Sequence, residues 1–91
     1  MMDKTLKLNV RLFGAFRKYH NGTLSLEVAE GVNVARVKAI IAQRIHDLAP
    51  EFQDRELIEK SALANNRRVL NPTDCFTESE NLAILPPVCG G

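Results

Sequence analysis

A single stretch of helical period runs through this chain, with strand-period runs on either side of it. Val34, Val37, Ile41, Ile45 and Leu48 recur at steps of three and four, a stripe of about four turns. Asn33 stands where an N-cap belongs, and Pro50 ends the helix. Arg36, Lys38, Gln43 and Arg44 fall largely outside the stripe, which is expected to pack on a sheet. One amphipathic helix has one face to bury, so the rest of the chain must supply the layer it covers.

Leu6, Leu8, Val10 and Leu12 alternate with polar residues, the period of a half-buried strand. After the Asn21-Gly22 turn signal, residues 23–28 alternate again, and the two runs pair most simply as an antiparallel hairpin with a long connection. Residues 51–60 read equally as a short helical turn or a loop. Residues 61–64 and 67–70 flank Asn65-Asn66, whose side chains tolerate left-handed backbone, and predict a short hairpin that Pro72 ends. Residues 81–85 form a more continuous apolar strand, expected to be central and buried on both faces. A right-handed crossover brings this last strand parallel to the first. The sum is a two-layer α+β domain of β-grasp type, the architecture of ubiquitin, with a mixed sheet covered on one face by one main helix. One domain is expected over residues 1–91, with a flexible tail over 86–91.

Composition narrows the function. Twelve basic and eleven acidic residues give a net charge of +1, and the densest basic spot, Arg67-Arg68, reads as a solvated turn. That is not the clustered basic stripe of a nucleic-acid binder. No apolar run approaches the roughly 20 residues of a membrane span and no export signal opens the chain, so no membrane partner and a cytoplasmic location are expected. Cys75 and Cys89 are then thiols. They lack CxxC spacing and lie far in sequence from His20 and His46, so no metal site is expected, and both histidines read as ordinary surface residues.

The end of the chain, Leu85-Pro86-Pro87-Val88-Cys89-Gly90-Gly91, has a pattern of its own. Pro86 and Pro87 lack backbone donors, so sheet pairing stops there and the tail leaves the domain stiff at its base. The six residues after Leu85 reach at most about 20 Å, enough to enter a partner's active site. Gly90 and Gly91 present no side chain at the reacting end. The Gly91 carboxylate is a poor electrophile until an ATP-using partner converts it to an acyl-adenylate, whose carbonyl accepts sulfur or an amine. The chain has no phosphate-binding glycine loop of its own, so ATP would be used in trans and the domain would act as a carrier.

With Leu82-Ala83-Ile84 before it, this tail resembles the signature end of the sulfur-carrier family that includes the small subunit of molybdopterin synthase and the thiamine-pathway carrier. The likeness extends to Val10–Arg17, to the helix capped by Asn33 and to the Ala64-Asn65-Asn66 turn, and so covers nearly the whole chain. The resemblance implies a cycle. An adenylating and sulfurating enzyme charges Gly91, a thiocarboxylate forms there, and the large subunit of molybdopterin synthase receives the tail within a heterotetramer. The sulfur then builds the dithiolene of a pterin that holds molybdenum or tungsten; the carrier itself binds neither pterin nor metal. Phe13, Arg17 and Leu85 match family positions near the tail base. They are candidates for partner docking, with Phe13 equally placed for the core. Two positions depart from the family: Ser79-Glu80 stands where many relatives carry Gly-Asp, and Cys89 where a small residue is usual. Cys89 is read as a small residue in the same channel, its alternative being a nucleophile that captures the adenylate. The other readings of the same carboxylate are a sulfur carrier for cysteine, thiolated tRNA or a secondary metabolite, and a ubiquitin-like modifier joined to lysines. A plain interaction module leaves PPVxGG without a purpose.

Overall fold

The computed structural model describes residues 4–13, 16–17, 19, 22–52 and 55–87. The first two strand-period runs become β1 (Thr5–Leu12) and β2 (Thr23–Ala29), antiparallel with Leu8 opposite Leu26. Helix α1 (Val34–Leu48) follows, and then α2 (Arg55–Lys60), which makes residues 55–60 of the ambiguous segment helical. Strands β3 (Ala62–Ala64) and β4 (Val69–Leu70) form the short hairpin, and β5 (Glu80–Leu85) closes the fold. The sheet has five strands in the order β2-β1-β5-β3-β4. β5 runs parallel to β1, with Leu12 level with Ile84, and antiparallel to β3. A mixed sheet with its first and last strands parallel at the centre and one helix on one face is the β-grasp.

The core forms where the two periods meet. Leu6, Leu8, Val10 and Leu12 point to one face of the sheet, and Val34, Val37, Ile41 and Ile45 come down on that face from α1, all fully or nearly fully buried. Three phenylalanines, Phe16, Phe52 and Phe76, complete it, all from segments outside regular strands. Leu48 departs from the expected stripe and is 48% exposed. The reason is the chain reversal after it. Ala49 keeps its N–H bonded to the Ile45 carbonyl, the Phe52 N–H bonds back to the Ala49 carbonyl, and Ala49 and Phe52 are both buried. The aromatic ring that returns there, edge-on to Tyr19 at 4.9 Å, fills the end of the core.

β5 is central, as its apolar run requires, but it is buried on one face only. Leu82 and Ile84 are buried, whereas Asn81 and Leu85 are exposed. One helical layer covers one side of the sheet, so even the central strand keeps an open face. The Asn65 turn also differs in mechanism from the expectation. Among the described residues no non-glycine has a positive φ. Asn65 instead closes the turn through its side chain, Oδ1 accepting from the N–H groups of Arg67 (2.8 Å) and Arg68 (3.0 Å).

The helix start is capped from two directions. Asn33 Oδ1 accepts from the Arg36 N–H at 2.8 Å, as its position in the sequence requires. The carbonyls of Asp74 and Pro72 take the N–H groups of Val34 and Ala35. That loop is itself pinned by the Asp74 carboxylate, which accepts from the Asn71 N–H at 2.8 Å and from Arg68 Nη1 at 2.9 Å. Those bonds hold its pKa below the usual value, the backbone bond from Asn71 contributing most.

Candidate functional site

The site grows from the open face of the sheet at the end where β1 and β5 finish together. Their parallel register makes the chain leave β1 into Phe13 and leave β5 into Pro86 at the same end of the sheet. Leu85 is the last paired residue, opposite Ala62, and is 37% exposed. Pro86 and Pro87 follow outside the sheet, half-buried and exposed respectively. Their missing donors end the ladder where the sequence says it must end.

Phe13 is half-buried and belongs to the open side, with the Arg11 guanidinium carbon 5.4 Å from its ring centroid. Arg17 is exposed, in the tight turn in which the Tyr19 N–H donates to the Phe16 carbonyl at 3.1 Å. Phe13 and Arg17, two of the three expected docking residues, line one hollow together with Arg11. Leu85 is not part of that hollow and lies one strand over. Val88, Cys89, Gly90 and Gly91, which carry the expected tail chemistry, lie outside the described residues.

The open face has a gradient that sequence reading missed. Far from the tail it is a polar ladder, with Ser25 Oγ donating to Asn9 Oδ1 at 3.0 Å and Asn9 Nδ2 donating to Asn81 Oδ1 at 3.2 Å. Nearer the tail the cross-strand row is Arg11, Ala83, Ala64 and Val69, with Ala62 and Leu85 beyond it. Val69 is 57% exposed. Its partner on the other face is the buried Leu70, so two adjacent apolar residues in a two-residue strand carried the signal: one of them must face out. Small alanines between Val69 and Leu85 leave a shallow apolar floor that adjoins a concavity lined by Arg11, Phe13, Ala64 and Ala83.

The Ser79-Glu80 departure has a structural use. Ser79 Oγ accepts the Lys7 N–H at 2.9 Å, extending the β1–β5 ladder by one side-chain bond. Glu80 Oε1 accepts from Asn65 Nδ2 at 3.0 Å and ties the β3–β4 turn to the start of β5. Arg67 and Arg68 are exposed at that turn, Arg68 paired with Asp74. Cys75 is exposed, its Sγ 3.7 Å from the Thr73 carbonyl. His46 is no plain surface residue. It is half-buried, with Nδ1 2.9 Å from the Phe52 carbonyl, and it helps fix the reversal after α1; His20 lies outside the described residues. Among the described residues no three His, Cys, Asp or Glu side chains gather as a metal site, and no helix is long and apolar enough to cross a membrane.

Comparison with known proteins agrees with this geometry. The profile of the ThiS family matches residues 10–91. A molybdopterin synthase sulfur carrier subunit from Synechococcus elongatus is 36% identical over 69 residues, covering 75% of this chain and 76% of its own. Among solved structures, a putative molybdopterin converting factor, subunit 1, from Pyrococcus furiosus superposes with a TM-score of 0.68 at 22% identity, over 91% of this chain and 99% of its own. A ubiquitin from Caldiarchaeum subterraneum superposes with a TM-score of 0.64 at 15% identity, over 97% of this chain and all of its own. At these identities the two structures speak for the fold alone.

Proposed function

The chain belongs to the ThiS family, and from that premise we propose that it is a sulfur carrier, the small subunit of a molybdopterin synthase. The observation that carries the reading is the exit of the last strand. β5 ends at Leu85 beside an apolar patch, two prolines stop the ladder, and the sequence then runs Val88-Cys89-Gly90-Gly91. The likeness to the Synechococcus subunit supports the pterin pathway over the other acceptors of activated sulfur.

In this reading the Gly91 carboxylate attacks the α-phosphorus of ATP in an adenylating enzyme, and pyrophosphate leaves. Hydrosulfide supplied by a sulfur donor attacks the acyl carbon, AMP leaves, a proton is lost, and a thiocarboxylate remains. The large synthase subunit then takes the tail, and sulfur passes to the pterin precursor. The carrier contributes reach, stiffness and a side-chain-free end; the nucleotide and the pterin are bound by its partners. Cys89 serves as a small residue along the same channel. Phe13, Arg17 and Leu85, with Val69, form the docking face that aims the tail.

Deletion of Gly91 tests the reading. The shortened chain ends about 3.5 Å early, and a misplacement of 1 Å can cost on the order of a hundredfold in rate. The deletion protein is expected to melt like the parent, to carry no thiocarboxylate in mass spectra after incubation with adenylating enzyme, ATP and a sulfur donor, and to support no sulfur transfer. Normal melting with undiminished sulfur delivery overturns the proposal.

A further inference from the structure

The side of the molecule away from the open sheet face carries a second surface that the tail chemistry does not use. Two hollows of about 310 and 350 Å³ lie on the solvent side of the helices and share Ala39 and Arg55, so they form one groove. Its floor is small and apolar, with Ala35, Ala39 and Ala42 from α1, Ile58 from α2, and Pro72. Its rim is basic, formed by Arg36, Lys38, Arg44 and Arg55. Four of the chain's twelve cations therefore line one groove of a protein whose net charge is only +1, and Glu59 is the single carboxylate among the described residues lining it.

These cations are not consumed by the fold. Arg36 and Arg44 have no side-chain hydrogen bond or ion pair among the described residues, and Arg55 donates only to the neutral Gln43, at 3.3 Å. Lys38 reaches the Glu59 carbonyl at 3.3 Å, and burial in the groove lowers its pKa, with Glu59 acting in the opposite sense. A basic rim that makes no salt bridge among the described residues, around an apolar floor, complements a segment with an apolar stripe flanked by carboxylates. From Ala35 to Arg44 the groove follows α1 for about 14 Å, two to three turns of a facing helix. The alanine floor lets such a helix approach closely, ridge into groove.

We propose that this groove is a second docking site, which takes an acidic amphipathic helix of a partner protein while the sheet face and tail remain free. The site stands apart from the sulfur-carrier reading, because a chain without Gly91 keeps the whole groove. The concave, alanine-floored shape favours an inserted segment over a flat membrane surface or a nucleic-acid strand.

The test uses the full chain, isotopically labelled, titrated with a synthetic peptide of about four helical turns that carries leucine at i, i+4 spacing and glutamate on the flanks. Amide shifts are expected on α1 and α2 around Arg36, Ala39, Arg44 and Arg55, weakening as salt is added. The double variant R36E/R44E, folded by its melting curve, should bind at least about tenfold more weakly, because rim charges set affinity and on-rate for a charged partner. Replacing the peptide's glutamates with glutamine should have a similar effect. Each of the following overturns the proposal: no shifts, shifts centred on Lys7, Arg11 or Arg67 of the sheet side, or binding that survives R36E/R44E. Preferential capture of anionic lipid vesicles or single-stranded RNA by the same arginines, or self-association of the chain through the groove, does so as well.

Discussion

Ile41 and Leu48 occupy the same stripe in the sequence and opposite environments in the fold. Ile41 is completely buried beneath the middle of α1, and Leu48 is 48% exposed where Ala49 and Phe52 have taken the core position. Truncating the first removes contacts on every side and leaves a cavity; truncating the second leaves solvent where solvent already was. Ile41→Ala is expected to cost about 2–5 kcal/mol in denaturant melts, and Leu48→Ala no more than about 0.5 kcal/mol. Similar losses at the two sites would mean that α1 is rotated from the position described. Periodicity could place Ile41 because its neighbours at three- and four-residue steps fix the helix face. It could not place Leu48, because Phe52 belongs to a non-periodic segment and only the three-dimensional reversal brings it back.

At the level of elements, the strands and the main helix were legible because each has one period, one buried face and clear stop signals. What escaped was set by non-local partners. β5 has the composition of a strand buried on both faces and lies at the centre, yet only one layer exists to cover it, so Asn81 and Leu85 face out. The loop that caps α1 was equally hidden, since its Pro72 and Asp74 carbonyls meet the N–H groups of Ala35 and Val34 across a long stretch of chain, with the Asp74 carboxylate fixed by Arg68 and the Asn71 N–H. Its pKa is depressed in the folded state, so the sign of its pH effect is fixed. A carboxylate that ionises more easily in the fold than in the unfolded chain stabilises above its unfolded pKa, and that contribution is lost as the pH falls through the folded value. Asp74→Asn should therefore melt below the parent near pH 7, and the gap should close in acid, below the ordinary carboxylate range of about 4. Thermal melts of both proteins across that range check it; a gap independent of pH would mean that Asp74 acts through its shape and not its charge.

The whole molecule presents two faces with different chemistry on either side of one core. The open sheet face is polar at one end and apolar at the end where the tail leaves, while the helical face is a basic groove. The tail motif was legible in sequence because it is contiguous. The patch beside it was not, because Val69, Ala64, Ala83 and Leu85 come from three strands that only the β2-β1-β5-β3-β4 order sets side by side. If this patch aims the tail, a charge placed on it should weaken docking without touching the core, since Val69 and Leu85 are already exposed. The double variant V69D/L85D is expected to melt within a degree or two of the parent and to bind the large synthase subunit about tenfold more weakly, roughly 1.4 kcal/mol. Isothermal titration with the large subunit reads this directly. The groove variant R36E/R44E should bind that subunit as the parent does, because its substitutions lie across the core from the patch. A parent-like affinity for V69D/L85D would remove the sheet face from the docking surface and leave Phe13 and Arg17, in their own hollow beyond β1, to aim the tail.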